Sequence, residues 1–160
     1  MAVNTQFSIA VHILAGLAYC SENGGAELTS GHIAESVNTS PSFVRRILSK
    51  LSKAGLVNTT TGKSGACRLG RDANKISLLD IYQAVDAPKV FSIHSYAEQK
   101  ACVVSCHIKN ALQQVLEKTQ QDTEASLAKI TLGQIARNVK QPPVACHSTT
   151  RTAKEGALTR

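Results

Sequence analysis

The 160-residue sequence has few aromatic side chains and no tryptophan. Aromatic residues make up 4% of the chain, and there is a single Met. Because large ring residues are scarce, a core must be built from Leu, Ile, Val and Ala, which favours helices packed closely together. The apolar fraction of 42% is ordinary for a globular protein, and the chain is long enough to bury one core.

Long apolar runs and a basic amino-terminal segment are also missing. No run approaches the roughly 20 residues of a membrane-spanning helix. The apolar stretch 7–18 is interrupted by Ser8, His12 and Gly16, and no Lys or Arg precedes it, unlike a secretory signal peptide. The five Cys are an odd number, which fits free thiols better than a disulfide framework. We therefore expect a cytoplasmic protein without membrane contact.

Positive charge is absent from the beginning of the chain and concentrated in the block that follows. Residues 1–39 contain no Lys or Arg, whereas residues 40–75 contain eight of them against one acid, Asp72. A basic block in an otherwise nearly neutral chain favours a polyanionic partner such as nucleic acid. A basic surface that contacts only solvent would have the same charge. The charge alone therefore does not distinguish it from a nucleic-acid-binding surface, and the pattern of the helices is needed as well.

Residues 29–69 have the order of elements of a winged helix-turn-helix. A short helix is predicted to run to residue 37, with a hydroxyl residue to cap its start. Ser40 is a good N-cap for a second helix, Pro41 suits its first position, and Gly55 is placed to end it. Predicted strands at 56–60 and 66–69 then flank a turn-forming segment, which gives a hairpin wing.

The second helix has an apolar face and a polar, basic face. Its predicted inward residues are Phe43, Val44, Ile47, Leu48 and Leu51, and its predicted outward residues are Ser42, Arg45, Arg46, Ser49, Lys50 and Lys53. The predicted DNA-contacting residues are Ser40, Ser42, Phe43, Arg45, Arg46 and Lys50 around this helix, with Lys63, Ser64 and Arg68 in the wing. Hydroxyl groups can donate to phosphates or base edges, and arginines can bind guanine or phosphate.

Further helices are predicted on both sides of this module. The first has the apolar face Phe7, Val11, Leu14, Ala15 and Ala18, and it should end before Gly24. Another should begin at Ser77, with a capping box completed by Asp80, and run to about Val85. A long helix is predicted over 103–127, and a last one from Thr131 to about Val139. The long helix has the apolar stripe Ile108, Leu112, Val115, Leu116, Thr119, Thr123 and Leu127.

The predicted fold class is mainly α with a small β-hairpin wing, as a winged helix-turn-helix plus a long dimerisation helix. The domain prediction is a DNA-binding domain at 1–85, a linker loop and dimerisation helices at 86–139, and a disordered basic tail at 140–160. A long apolar stripe is more than a small monomer buries, which favours an intersubunit helix pair. Packing back on the first helix is the alternative.

The chain resembles the Rrf2 family of bacterial winged helix-turn-helix regulators over about residues 1–139. The resemblance lies in residues 40–57 (SPSFVRRILSKLSKAGLV), 62–69 (GKSGACRL) and 76–85 (ISLLDIYQAV). It implies a homodimer on a palindromic promoter site of double-stranded DNA, with the wing in the minor groove. Thr61 and Cys67 stand where the family wing usually has Arg and Tyr.

Two cysteines near the start of the long helix, Cys102 and Cys106, are the candidate sensing residues. Iron–sulfur members of the family usually have three Cys in this region, and a cluster needs about four ligands. Here His107 and a ligand from elsewhere would have to complete the site, so we expect no cofactor. An iron–sulfur cluster is kept as the disfavoured alternative.

A thiol switch at Cys102 and Cys106 is the functional prediction for the same pair. The start of a helix favours thiolate and therefore raises reactivity. A disulfide between residues four apart would require the first turn to unwind. Cys20 or Cys67 could instead pair across subunits, and the opposing interpretation is that Cys20 is buried and the other thiols are unreactive.

No catalytic set is recognisable, so an enzyme is not expected. The sequence predicts a homodimeric DNA-binding transcriptional regulator, with a cysteine-based redox or electrophile switch as the hypothesis for its control. Two alternatives stay open at this point: an iron–sulfur-sensing regulator, and a winged-helix module that binds protein instead of DNA.

Overall fold

The computed structural model describes residues 5–22, 28–60 and 66–140. The helices are α1 (Gln6–Glu22), α2 (Ser30–Val37), α3 (Pro41–Lys53), α4 (Leu78–Ala84), α5 (Val103–Ala128) and α6 (Leu132–Lys140), with a 3₁₀ turn at Ala73–Lys75. The strands are β1 (Leu28–Thr29), β2 (Val57–Thr59) and β3 (Ala66–Leu69). The predicted fold class, mainly helical with a small antiparallel sheet, is confirmed.

The starts and stops of α2 and α3 follow from their capping residues. The Thr29 hydroxyl accepts a hydrogen bond from the His32 amide at 3.4 Å, and the Ser40 hydroxyl accepts one from the Phe43 amide at 3.3 Å. These caps satisfy amides that have no partner inside the helix. After α3 the chain turns at Gly55, whose φ of 69° is a left-handed conformation that glycine adopts without strain.

The sheet has a third strand that the sequence pattern did not predict. The strand order is β1-β3-β2, with both pairs antiparallel. Leu28 is opposite Cys67, and Val57 is opposite Leu69. β1 is two residues long, which is too short to show an alternating pattern, and it runs directly into the cap of α2. The wing is therefore fixed to the start of the helix-turn-helix as well as to its end.

Helix α1 lies at the centre of the core, and its buried face matches the predicted one only in part, at Leu14 and Ala18. Its buried residues are Ala10, Ile13, Leu14, Leu17 and Ala18. The predicted inward residues Phe7, Val11 and Ala15 are only half buried and pack at the margin of the core. Because α2, α3, α4, α6 and β3 all pack on α1, its apolar surface is wider than a single stripe.

Helix α6 returns to α1 and joins the same core, as Leu132 and Ala136 are both buried. Two backbone hydrogen bonds hold its start against the start of α4: the Leu78 amide donates to Ile130 at 2.9 Å, and the Leu132 amide donates to Ile76 at 2.8 Å. The capping box predicted for α4 is present, with Ser77 and Asp80 bonded to each other. The end of the described chain is thus packed against the helices that precede the linker.

Helix α5 contains no buried residue, although it is the longest helix. The carboxy-terminal part of α5 packs against α4, and Leu127 is partly buried against the core. The amino-terminal half of α5 has solvent-exposed apolar side chains, with Val104 67% and Val115 60% exposed. The alternative in which the whole stripe packs back on α1 is therefore wrong for Val115 and Leu112, which are both exposed.

Two predicted segments, the wing tip at 61–65 and the tail at 141–160, lie outside the described residues. Among the residues that are described, no helix is both long enough and apolar enough to cross a membrane. The division of the chain at residue 85 stays a prediction.

Gly70 provides a test of how the base of the wing is packed. Its amide donates to the Leu56 carbonyl at 2.9 Å, and a Cβ built on Gly70 would lie 2.5 Å from the Gly55 carbonyl oxygen. Because that neighbour is backbone and not a flexible side chain, we expect Gly70→Ala to lower the free energy of unfolding by about 1–3 kcal/mol. Urea denaturation followed by circular dichroism measures this.

The matched control for this prediction is Gly16→Ala in the interior of α1. A Cβ there would meet only the Leu28 Cδ1 atom at 3.9 Å, an ordinary contact. Alanine is the better helix former by about 0.5–1 kcal/mol, so this variant should be slightly more stable than the natural chain. Equal effects of the two substitutions would contradict the packing described at Gly70.

Candidate nucleic-acid interface

The two faces of α3 are divided as the sequence predicted, with two exceptions. Val44, Ile47, Leu48 and Leu51 are buried. The residues on the opposite face are exposed: Ser42, Arg45, Arg46, Ser49 and Lys53. The exceptions are Phe43, which is half buried at the edge of the core, and Lys50. The sequence from 40 to 71 contains no acidic residue, so the exposed face of α3 presents positive charge without an anion of its own segment beside it.

Arg45 connects the exposed face of α3 to the start of α2. Its Nε donates a hydrogen bond to the Ser30 hydroxyl at 3.3 Å. A guanidinium has five N–H donors in a planar fork, so this bond holds the side chain while the terminal nitrogens keep donors for a phosphate or a guanine edge. Sequence reasoning missed Ser30 as part of this face, because nothing in the spacing of residues 30 and 45 shows that they meet.

Arg46 and the serines at the start of α3 form a second group on this face. The Arg46 guanidinium lies over the Phe43 ring, 4.9 Å from its centroid, a cation–π contact that restricts the long side chain. The Ser40 and Ser42 hydroxyls lie 3.2 Å apart. The Ser40 oxygen already accepts the amide hydrogen of Phe43, so Ser40 serves as the cap of α3, and both serines are exposed.

Lys50 does not lie on the exposed face, and the prediction that it does is wrong. Its side chain is 30% exposed, and its Nζ donates to the Val85 carbonyl at 3.0 Å and to the Gln6 amide oxygen at 3.3 Å. Its Nζ also lies 3.2 Å from the Asp86 carboxylate. Position 50 follows Phe43 and Ile47 along one side of α3, at spacings of four and three residues, and that side faces α4.

The wing contributes an exposed arginine and a buried cysteine from adjacent positions of β3. Arg68 is exposed and pairs in register with Asn58 of β2. Cys67 points to the opposite side of the sheet and is 4% exposed. Burial raises the pKa of the Cys67 thiol, so it stays protonated and is a poor nucleophile. Burial in the single chain disfavours the pairing of Cys67 across subunits, which stays a prediction. Lys63 and Ser64 lie outside the described residues.

A groove runs between α3, the start of α2 and the sheet, with a volume of about 410 Å³. Its polar lining is Ser30, Arg45, Ser49, Ser52, Lys53 and Thr59, and Leu48 and Cys67 form its apolar floor. Hydroxyls and cations that converge on one concave strip are suited to phosphate oxygens and base edges. The groove places α3 and the base of the wing on one continuous surface.

Cys102 and Cys106 lie at the start of α5, as predicted. Cys102 is the N-cap residue and is exposed, without a side-chain capping hydrogen bond. Cys106 is one turn further along and half buried, and its thiol donates to the Gln99 carbonyl at 3.7 Å. The Cys106 amide donates to the Cys102 carbonyl at 3.2 Å, so the two residues are joined by the first turn of the helix. Cys20 is half buried, not fully buried.

The residues that would complete a metal site are not brought together in the described part of the chain. Over residues 5–22, 28–60 and 66–140, no three His, Cys, Asp or Glu side chains are arranged to hold a metal ion. Cys102, Cys106 and His107 are close in sequence, but no further described residue joins them as a ligand. The cysteine pair alone therefore does not fit an iron–sulfur cluster, which needs about four ligands.

Two capped helices in tandem, followed by a hairpin whose base packs on the second, define a winged helix-turn-helix of the kind that transcription regulators use. The chain belongs to the Rrf2 family. The family model, described as "Iron-dependent Transcriptional regulator", matches residues 3–138. One relative is YwnA of Bacillus subtilis, whose name assigns it to the HTH-type transcriptional regulators. It is 36% identical over 138 residues, which are 86% of this chain and 98% of YwnA.

Solved structures of the same family share the fold at lower identity. IscR of T. potens has a TM-score of 0.65 and 21% identity, covering 91% of this chain and 93% of that chain. CymR of Staphylococcus aureus has a TM-score of 0.63 and 23% identity, covering 83% of this chain and 96% of that chain. The chain is thus a transcriptional regulator by family, and it has the winged-helix fold of these structures.

Proposed function

We propose that this regulator binds a palindromic site on double-stranded DNA as a homodimer, and that oxidation of Cys102 and Cys106 controls the binding. The observation that carries the DNA-binding part is the exposed face of α3, where Arg45, Arg46 and Lys53 project from a helix whose other face is buried. Helix α3, anchored in this way, can enter the major groove as the reading helix while the wing follows the adjacent DNA backbone.

Arg45 and Arg46 are held in place by different side chains, and we therefore propose different DNA contacts for them. Arg45 is held by Ser30 at the start of α2, where the helix amino terminus also favours a phosphate. Arg46 is held by the Phe43 ring in the first turns of α3, which are the turns that approach base edges in a helix-turn-helix. Arg45 is thus the better candidate for a phosphate contact, and Arg46 for a guanine contact.

The exposed apolar side of α5 supports the homodimer. Val103, Val104, Leu112 and Val115 are between 37% and 75% exposed in the single chain. Apolar side chains that recur along one long helix are usually covered by another helix. A second copy of α5, related by two-fold symmetry, would cover these side chains. The two winged helix-turn-helix modules of such a dimer require a DNA site with inverted half-sites.

The arginine assignment is tested by DNA binding of Arg45→Ala and Arg46→Ala. The probe is duplex DNA from upstream of the protein's own coding sequence, followed by fluorescence anisotropy over a salt series. We expect Arg45→Ala to weaken binding and to reduce the slope of log affinity against log salt by about 0.9 for each phosphate that is no longer neutralised. We expect Arg46→Ala to cost about 1–3 kcal/mol and to relax sequence specificity.

Lys118→Ala is the charge-matched control for these variants. Lys118 lies on α5, 2.7 Å from Asp122, and its replacement removes the same charge away from α3. Its affinity and salt slope should equal those of the natural chain. If the natural chain and Arg45→Ala both fail to bind the probe at low salt, the DNA-binding proposal is wrong, and salt-insensitive binding to a protein partner becomes the better interpretation.

The dimer is tested by a charge placed on the exposed side of α5. Val115→Glu puts a carboxylate where the second copy is expected to pack, and burial of an unpaired charge is strongly unfavourable. We expect this variant to sediment as a monomer at concentrations where the natural chain is a dimer. Gln114→Glu adds the same charge at the preceding, exposed position. Because adjacent residues of a helix face different sides, this variant should leave the dimer intact. A dimer in both variants would place the interface elsewhere.

The thiol switch is supported by the exposed position of Cys102 at the start of α5. In the proposed step a thiolate attacks hydrogen peroxide and forms a sulfenic acid, while the O–O bond breaks and the leaving hydroxide takes up a proton to become water. The second thiol then displaces a further water and forms the disulfide, so that the two sulfurs lose two electrons and the peroxide gains them. A helical pair four residues apart is near the limit of disulfide geometry, so the hydrogen bond from Cys106 to Cys102 should break.

The switch is tested with Cys102→Ser and Cys106→Ser, each titrated with DNA before and after peroxide. We expect both to bind DNA like the natural chain when reduced and to lose the response to peroxide. Cys20→Ser is the control, since it removes a half-buried thiol on α1 and should respond normally. The proposal fails if the two serine variants respond to peroxide as the natural chain does.

A further inference from the structure

Lys50 lies where three separate elements meet. Its ammonium nitrogen contacts the side chain of Gln6 at the start of α1, the carbonyl of Val85 at the end of α4, and the carboxylate of Asp86 in the following residue. The lysine itself belongs to the third turn of α3. Helix α3 is thus connected by one side chain to two of the helices that pack on it, α1 and α4.

The ammonium group has no donor left for DNA in this arrangement. A lysine carries three N–H donors, and Lys50 has three oxygen partners between 3.0 and 3.3 Å. One of them is the carbonyl of the C-cap residue of α4, an acceptor left open where the helix ends. To contact a phosphate, Lys50 would have to give up at least one of these bonds.

The same joint is the place where the linker to α5 begins. Asp86 has a φ of 50°, a left-handed conformation that Asp tolerates better than most residues, and it turns the chain out of α4. Next to this turn, the Tyr82 hydroxyl of α4 donates a hydrogen bond to the Pro88 carbonyl of the linker at 2.5 Å. The side-chain amide of Gln120 in α5 donates to the same Tyr82 hydroxyl at 3.3 Å. A continuous set of contacts therefore runs from α5 through α4 to Lys50.

We infer that Lys50 is a positioning residue for DNA recognition: it fixes α3 against the end of α4 without touching DNA, and it connects the linker and α5 to the reading helix. This inference rests on the proposed DNA binding. It separates Lys50 from Lys53, which follows it on the same helix and is exposed. The two lysines should therefore respond differently to the same substitution.

The test is the salt dependence of DNA binding for Lys50→Met and Lys53→Met. We expect Lys50→Met to bind the promoter duplex about tenfold more weakly, because charge-assisted hydrogen bonds that preorganise the surface are removed, with an unchanged salt slope. Lys53→Met should reduce the slope by about 0.9 for each phosphate that is no longer neutralised. A reduced slope in Lys50→Met, or an affinity equal to that of the natural chain, would overturn the inference.

Asp86→Asn gives a second test that keeps Lys50 in place. Asparagine accepts the same left-handed backbone but lacks the charge. If Lys50 is a positioning residue, this variant loosens the joint and lowers DNA affinity. If Lys50 instead contacts phosphate, removal of the competing carboxylate raises the affinity, which would overturn the inference.

Hydrogen exchange without DNA separates a failure of this inference from a failure of the proposed function. The Asp86 and Ala87 amides donate to Gln83 and Tyr82 at 3.1 Å each, which makes them reporters of the joint. We expect both to exchange faster in Lys50→Met than in Lys53→Met. Unchanged exchange overturns the role of Lys50 in fixing the joint. A natural chain that binds no DNA, but still shows this difference in exchange, overturns the proposed function and leaves the structural role of Lys50 standing.

Discussion

Burial of one face of α3 is the interaction on which the rest of this structure depends. Val44, Ile47, Leu48 and Leu51 attach the helix to the core, and their burial decides which residues face outward. At roughly 25 cal/mol for each Å² of apolar surface removed from water, four aliphatic side chains outweigh any single polar contact on the opposite face. The cationic face can therefore be used for recognition, because the position of the helix does not depend on it.

The elements that could be predicted from the sequence are those with a local signal. Ser40, Pro41 and Gly55 determine the start and end of α3, and Ser77 with Asp80 determines the start of α4, because capping acts within one turn. The periodicity of α3 was equally informative, because the helix is buried on one side only. The division of its surface, and with it most of the candidate site, followed from that pattern.

The parts that were missed depend on residues distant in sequence. Lys50 and Lys53 are both lysines of α3. Their environments differ because Val85 and Asp86, which are distant in sequence, lie beside Lys50. The contact between Arg45 and Ser30 and the two-residue strand β1 depend on the tertiary fold in the same way. The buried face of α1 was predicted too narrowly, because a central helix with several neighbours has no single apolar stripe.

The close approach of Gly70 to Gly55 has a consequence for how this surface can change in evolution. Both ends of the wing are fixed at their base, by the bond from Gly70 to Leu56 and by the pairing of β1 with β3. The cost of closing a loop rises only slowly with its length. Insertions, deletions and substitutions between residues 60 and 66 are therefore tolerable without a change in the angle at which α3 meets its ligand. Related chains can acquire new sequence preferences at the wing while the scaffold that supports the reading helix stays the same.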